Sequence, residues 1–195
     1  MITFQKIYTD ETMVHSNSGH EADIVTSFAR LYEDHLTGVY RYISYRIADK
    51  SVVADLTSVV FEKALAAFPG YRREKAAPQT WLIAIARNTV TDYLRKSSRR
   101  QTQTLESISH IESDDPSPEE AAEKGEEYEV LRICYSVLPP REQEIVSLKF
   151  GAELNNRRIA TVLGLKEGNV GIILFRAIHK LRDCFRKWLD GRGNV

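Results

Sequence analysis

Apolar residues recur at helical spacing in two long stretches of this chain, and neither stretch shows the strict alternation of a strand. The first stretch covers about residues 22–97 and the second about residues 127–190. Glycine and proline are sparse and fall mainly between the periodic segments, as expected for helices joined by short turns. The pattern predicts an all-α protein with two small helical domains.

One helix of the first domain, around residues 51–68, is apolar on two sides. Val53 and Leu56 fall on one side, and Phe61 and Leu65 fall near the other. Between them lies a narrow polar strip of Asp55, Ser58 and Glu62. Such a helix is either deeply buried, or it completes its own core on one side and docks a partner on the other.

A proline-bounded loop follows this helix and carries aromatic and basic side chains, namely Tyr71, Arg72, Arg73 and Lys75. Thr80 is a plausible N-cap for the next helix. Its inward stripe is predicted to be Leu82, Ile85, Ala86, Thr89 and Tyr93. Trp81, Asn88 and Arg95 share another face, which suits base stacking and edge reading. A Trp that only covers the end of its helix bundle is an equal alternative.

The second domain has the pattern of a helix-turn-helix. Ile159, Ala160 and Leu163 precede Gly164, and a longer helix is predicted to begin near Glu167. The inward stripe of that helix is predicted to be Val170, Leu174, Ala177, Leu181, Cys184 and Trp188. Gly168, Ile172, Phe175, Arg176, His179 and Arg186 lie on its outward face. Antiparallel helix pairs in other proteins imitate this pattern, so the motif is only moderately specific.

The net charge of zero hides two basic domains and an acidic bridge. Residues 23–100 carry +5 and residues 131–195 carry +6, whereas residues 101–130 hold ten acids against Lys124. Basic domains favour polyanionic partners. The bridge, with prolines in DDPSPEE, predicts a flexible linker with a helix starting near Pro118. The domain boundaries predicted are a disordered extension at 1–21, domains at 22–97 and 127–190, a linker at 98–126 and a tail at 191–195.

Several classes of protein are not favoured by this sequence. The five histidines are scattered, and neither a metal-ligand spacing nor a nucleophile motif is present, so we expect no enzyme, metal or cofactor. No apolar run is long enough to span a membrane, and no signal peptide is evident. Cys134 and Cys184 are interpreted as two structural thiols in a reducing cytoplasm.

Four segments, taken in order, resemble the extracytoplasmic-function sigma factors of the sigma-70 family. They are ADLTSVVFEKAL, WLIAIARNTVTDYLRK, LPPREQEIVSLKF and RRIATVLGLKEGNVGIILFRAIHKLR, with the acidic linker between the second and the third. The resemblance covers roughly residues 24–97 and 128–187. It implies that the first domain is region 2 and the second is region 4, with core RNA polymerase and promoter DNA as partners.

The resemblance also implies a role for each surface. Docking on the clamp helices of polymerase falls to Asp55, Leu56, Ser58, Val59 and Glu62. Recognition and melting of the −10 element fall to Tyr71, Arg72, Arg73, Lys75, Trp81, Arg87, Asn88, Arg95 and Lys96. Reading of the −35 element, with the domain seated on the polymerase flap, falls to Lys166, Glu167, Gly168, Asn169, Gly171, Ile172, Phe175, Arg176, His179 and Lys180. An anti-sigma factor is a further possible partner.

The chain departs from the family pattern at two places. Ser58-Val59 stand where the family usually has Gln-Glu, and Gly171 stands where Lys or Arg is frequent. The first departure weakens or shifts the polar part of clamp docking, and the second removes a phosphate contact. Two alternatives therefore stay open: a helix-turn-helix regulator that binds DNA without polymerase, and a sigma-like decoy that binds core polymerase but not promoters.

Overall fold

The structure, a computed structural model, describes residues 18–101 and 118–192. Seven α-helices and two short irregular helical turns make up these residues, and no strand occurs among them. The helices are α1 (Ser18–Ser44), α2 (Lys50–Ala67), α3 (Pro78–Gln101), α4 (Pro118–Ser136), α5 (Pro140–Val146), α6 (Asn156–Leu163) and α7 (Glu167–Arg192). The predicted all-α class with two helical domains is confirmed. No described helix is both long and apolar enough to cross a bilayer.

Helices α1, α2 and α3 pack on one another and form the first lobe. The Asp49 side chain caps α2 by accepting hydrogen bonds from the backbone N–H groups of Ser51 and Val52, which satisfies two donors that the first helical turn leaves free. A 3-10 turn at Phe68–Gly70 ends α2 and leads into the loop before α3. The core of this lobe includes Tyr42, Ile43, Val60, Leu82 and Val90, all almost fully buried.

Helices α4 to α7 form the second lobe, in which α5, α6 and the turn between them pack against α7 or against each other. A π-helical turn, Ser147–Gly151, extends α5. Asn155 caps α6 through the backbone N–H of Arg158. Gly164 ends α6 in the left-handed conformation, at φ 64°, where a glycine has no steric penalty. Helix α7 then begins at Glu167, so the predicted helix-turn-helix is confirmed in its local structure.

The two cysteines do not remain free thiols, and this part of the sequence interpretation was wrong. Cys134 on α4 and Cys184 on α7 form a disulfide across 50 residues of sequence, with their Cα atoms 5.7 Å apart. The sequence predicted two structural thiols, because the cysteines form no CxxC pair and no metal-ligand spacing. The packing of α4 on α7 brings them together, and no sequence spacing indicates that contact.

The two lobes are in contact and share one hydrophobic core. The π-helical turn lies against α1, and α6 lies against α3. Helix α1 begins at Ser18, α3 extends to Gln101, and α4 begins at Pro118, where the sequence predicted a helix start. The expectations for residues 1–17, 102–117 and 193–195 lie outside the described residues.

Candidate nucleic-acid and partner interfaces

The polar strip of α2 is accessible. Asp55, Ser58 and Glu62 are all exposed, at spacings of three and four residues that align them along one face of the helix. Val59 beside them is half-buried, whereas Leu56 is 9% exposed and belongs to the core. Leu56 was placed in the docking set by resemblance, and the structure corrects this, because its side chain packs inward.

An apolar groove of about 300 Å³ lies beside this strip, between α1 and α2. Its walls include Val25, Phe28 and Tyr32 from α1 and Leu65 from α2. Leu65 is half exposed, so the second apolar side of α2 is only partly covered by the lobe itself. Sequence reasoning noted the two-sided helix but missed the α1 residues, because their proximity to α2 depends on the packing angle of the two helices.

Trp81 is not an outward-facing residue, contrary to the prediction from the helical wheel. It is half-buried and packs against the core. Its ring lies 4.6 Å from that of Tyr71, and the Phe68 ring stacks on Tyr71 with 6.1 Å between the ring centres. The Tyr71 hydroxyl donates to the Ala76 carbonyl, and burial raises the pKa of this phenol. These contacts hold the basic loop against the start of α3. They are present without any bound nucleic acid.

The other candidates for the −10 element divide into exposed side chains and side chains held by a partner. Arg73 and Lys75 in the loop are exposed, and so are Asn88 and Lys96 on α3. Arg72 folds back onto the carbonyls of Pro69 and Tyr71, and Arg95 pairs with Asp92.

Arg87 has a partner in the other lobe. Its Nε lies 2.7 Å from Oε1 of Glu144, whose side chain is only 13% exposed. In this arrangement the Arg87 guanidinium is engaged by Glu144 and is not free to bind DNA. This differs from its predicted role in recognition of the −10 element. Glu144 was missed because 57 residues separate it from Arg87 and no local pattern marks it.

The first half of α7 presents the outward face that the helix-turn-helix requires. Ile172 is 53% exposed and Phe175 is 69% exposed, and Arg176 and His179 are exposed beside them. His179 lies 3.5 Å from Asp183 and its ring meets the edge of Phe175. At the start of the helix, all four predicted residues Lys166, Glu167, Gly168 and Asn169 are exposed.

Two members of the predicted −35 set point elsewhere. Nζ of Lys180 lies 2.7 Å from Oε1 of Glu142, a carboxylate that is otherwise buried, so Lys180 holds α7 to α5 and is not free for phosphate. Gly171 is half-buried next to α6, and a side chain there would meet Asn156 at 3.7 Å. The Lys or Arg that the family often has at this position would therefore have its Cβ atom in van der Waals contact with Asn156 of α6.

A cleft of about 180 Å³ lies where α1, α3 and the residues after the π-helical turn meet, and His35 lines it with Asp34, Arg41, Gln79 and Glu153. Burial lowers the pKa of His35 below its usual 6.5, and the nearby Asp34 carboxylate opposes this effect. The unfolded chain therefore takes up a proton at this histidine more readily than the folded chain does.

This sets the sign of a pH effect on folding. The contribution of neutral His35 is fully present above pH 6.5 and is lost as the pH falls below that value. We expect the urea midpoint to fall between pH 7.5 and pH 5.5, and we expect His35→Gln to reduce this fall. Urea titrations followed by circular dichroism at both pH values measure it, and an identical fall in parent and variant would contradict the assignment.

Each lobe matches the model of one region of a known protein family. Residues 31–100 match Sigma-70 region 2, and residues 136–183 match Sigma-70 region 4. Together they define an initiation factor of bacterial transcription built from a region 2 and a region 4, and not an enzyme. The chain belongs to the sigma-70 family, as a sigma factor of the extracytoplasmic-function group.

Relatives support this membership. The chain is 33% identical over 161 residues to the sigma factor BldN of Streptomyces coelicolor, a match that covers 83% of this chain and 60% of BldN. It is 28% identical to SigM of Bacillus subtilis, over 82% of this chain and 96% of SigM. The chain thus spans less than two thirds of BldN and nearly all of SigM.

Solved structures show the same fold. The sigma factor RpoE, determined in complex with the anti-sigma factor NepR from Bartonella quintana, aligns with a TM-score of 0.66 and 16% identity, over 82% of this chain and 97% of RpoE. CnrH in complex with the cytosolic domain of CnrY aligns with a TM-score of 0.55 and 20% identity, over 87% of this chain and 92% of CnrH.

Proposed function

We propose that this sigma factor binds core RNA polymerase in the cytoplasm and directs it to promoters through both lobes. The observation that carries the proposal is the pairing, in one chain, of an exposed polar strip on α2 with an exposed recognition face on α7. A regulator that binds DNA alone would use the second face and leave the first without a purpose. The region 2 and region 4 matches support the same division of work.

The α2 strip and its groove form the polymerase-docking surface in this proposal. Asp55 and Glu62 supply negative charge, and Tyr32 and Leu65 supply apolar contact beside it. A partner helix with basic and apolar side chains fits such a surface, because charge sets the orientation and apolar burial supplies most of the free energy. Because Ser58-Val59 replace the Gln-Glu that the family usually has, the strip offers fewer polar contacts. The apolar groove therefore contributes a larger share of the binding free energy.

The −10 surface consists of the basic loop, the aromatic cluster and the outer face of α3. Melting the duplex requires unstacking at a few kcal/mol per step, and capture of an extruded base on an aromatic ring returns roughly 1–3 kcal/mol. Exposed Asn88 supplies donors and an acceptor for a base edge. Exposed Arg73, Lys75 and Lys96 hold phosphates, which position the strand without reading its sequence.

An anti-sigma factor is a further proposed partner. RpoE was determined in complex with the anti-sigma factor NepR, and CnrH, of the same fold, was determined in complex with the cytosolic domain of CnrY. The exposed apolar groove on α1 and α2 would be covered by polymerase or by such an inhibitor, but not by both together. Competition between the two for this groove is the simplest way for an inhibitor to act.

Asp55→Arg tests the docking surface. We expect it to weaken binding to core polymerase by about tenfold or more, because reversing a charge at a complementary interface costs several kcal/mol. Fluorescence anisotropy with purified core polymerase measures binding, and run-off transcription on a promoter pool measures function.

Asp190→Arg, an exposed acid-to-arginine change near the end of α7, is the matched control and should bind core polymerase like the parent. Equal binding by the Asp55 variant, with its thermal melting unchanged, would show that α2 is not the docking surface. Parent protein that binds core polymerase without supporting any run-off product would favour the decoy alternative.

A further inference from the structure

Gly171 leaves the recognition helix α7 without a cation at a position where its family often has Lys or Arg. The residue is half-buried, and a Cβ atom added to it would lie 3.7 Å from Nδ2 of Asn156, the first residue of α6. The first turn of α6 therefore lies directly beside the place from which the missing side chain would project. A long cationic side chain on that turn reaches the same stretch of DNA backbone.

Two arginines follow Asn156 in the first turn of α6, and they project in different directions. Nη1 of Arg158 donates to Oε1 of Gln79 in the first lobe, at 3.0 Å. Successive residues of an α-helix are turned by about 100°, so Arg157 projects between the direction of Asn156 and that of Arg158. Arg157 is exposed. Of the two arginines, it is therefore the one that is available to a partner outside the chain.

The helix that carries Arg157 holds no carboxylate that would neutralise it. No acidic residue occurs in α6, and the residue one turn further on is Thr161, whose hydroxyl donates to the Arg157 carbonyl. Elsewhere in the described residues, Arg41, Arg87 and Lys180 each meet a glutamate at 2.7 Å. Arg157 has no such ion pair within the same part of the chain, which leaves its charge for an external anion.

The place of α6 in the helix-turn-helix indicates what that anion is. When this motif binds DNA, the second helix lies in the major groove and the first helix crosses the backbone. Here α7, with exposed Ile172 and Phe175, is the second helix and α6 is the first. Arg157 and Thr161 lie one turn apart on the exposed side of α6. A guanidinium suits a backbone contact, because its planar set of N–H donors binds two phosphate oxygens at once.

We propose that Arg157 on α6 is a phosphate-binding residue of the −35 surface and replaces the cation that Gly171 removes from α7. The inference rests on the proposed function, because it requires that the second lobe binds promoter DNA. It adds to that surface a side chain from outside the recognition helix. A phosphate contact fixes how α7 sits on the duplex, whereas the bases are read by other side chains.

Arg157→Gln should weaken binding of the holoenzyme to promoter duplex by roughly 3- to 10-fold at about 0.1 M salt, and by the same factor on promoters with different −35 sequences. The holoenzyme is assembled from core polymerase and the full chain, and the duplexes are promoters recovered by run-off transcription from a pool. Titrations at low temperature, where the duplex stays closed, measure binding. The slope of log affinity against log salt should become shallower by about 0.9, the value for one counterion.

Two further variants serve as controls. Arg157→Lys keeps the charge and should keep most of the salt slope. Arg132→Gln makes the same loss of charge at an exposed position on α4 of the same lobe, and it should keep both the affinity and the slope of the parent.

Gly171→Lys in the Arg157→Gln background tests the replacement itself. The added Cβ atom meets Asn156 at an ordinary van der Waals distance, so the lysine fits, and it should return the salt slope to the parental value. Duplexes with one uncharged methylphosphonate at successive positions of the −35 element then locate the phosphate. One position should weaken binding by the parent, have no effect on Arg157→Gln, and weaken binding again by the double variant.

The outcomes distinguish this inference from the proposed function. A parent holoenzyme that selects no promoter from the pool would overturn the proposed function. Promoter binding by the parent, with the same affinity and salt slope in Arg157→Gln, would overturn the role of Arg157 alone. Weaker binding by Arg157→Gln with the parental slope would assign the residue to the structure of α6 and overturn the phosphate contact. A slope that Gly171→Lys does not restore would overturn the replacement of one cation by the other.

Discussion

Loss of the Cys134–Cys184 disulfide is expected to lower the free energy of unfolding by about 2–4 kcal/mol, the usual effect of removing a bond that closes a long loop. The effect should fall on α4, because the bond is its covalent link to α7. Among the described side chains of this helix, Tyr128, Leu131 and Ile133 are exposed, whereas Cys134 is buried and the Tyr135 hydroxyl donates to the Gln143 carbonyl.

The measurement is a urea titration of the parent with and without reductant, beside a protein carrying both Cys134→Ser and Cys184→Ser. Reductant should lower the midpoint of the parent to about that of the double variant and should leave the double variant unchanged. The double variant is its own control for any general effect of the reductant. A parent midpoint that does not move, while thiol titration detects two free thiols, would show that the bond contributes no stability.

Ile172→Ala is expected to weaken promoter use by roughly 1–3 kcal/mol at sites where a base contact is lost. The side chain is 53% exposed on the outward face of α7. Apolar side chains in the major groove contact the methyl group of thymine. We therefore expect thymines in the −35 element, read by Ile172 or Phe175, with Arg176 holding a phosphate or a guanine.

Leu189→Ala is a suitable control, because Leu189 is a large exposed apolar residue of the same helix, far from its first turns. Run-off transcription on matched templates measures the effect. Replacing the contacted thymines with uracils, which lack the methyl group, should reproduce the loss in the parent and add little in the Ile172 variant. Full activity of the parent on uracil templates would assign Ile172 and Phe175 to a protein partner.

Periodic features could be predicted from sequence because they depend on neighbours within a few residues. The helix starts at Pro118 and Glu167, the turn at Gly164 and the inward stripe from Val170 to Ala177 all have such local causes. Trp81 was misplaced for the opposite reason. A helical wheel shows only which face of α3 carries Trp81. It cannot show that Phe68 and Tyr71, which precede α3 in the chain, pack against the Trp81 ring.

The remaining differences concern charged residues and cysteines whose partners are distant in sequence. The resemblance placed Arg87 and Lys180 in the DNA-binding sets, yet each meets a glutamate of α5, 57 and 38 residues away respectively. The disulfide spans 50 residues. Such pairs depend on how helices pack in three dimensions, and a single sequence carries no periodic signal for them.

The Glu142–Lys180 pair also bears on attempts to engineer new promoter specificity. Replacing α7 with the corresponding helix of another sigma factor is the obvious way to transplant a recognition face. This replacement also removes Lys180, which lies on α7. Glu142 would then keep a buried carboxylate with no counterion, and one of its oxygens already lacks a hydrogen-bond partner in the described structure. An unpaired buried charge is strongly destabilising. A successful graft therefore has to carry a lysine at position 180 or replace Glu142 together with the helix, so the exchangeable unit is the α5–α7 pair and not the recognition helix alone.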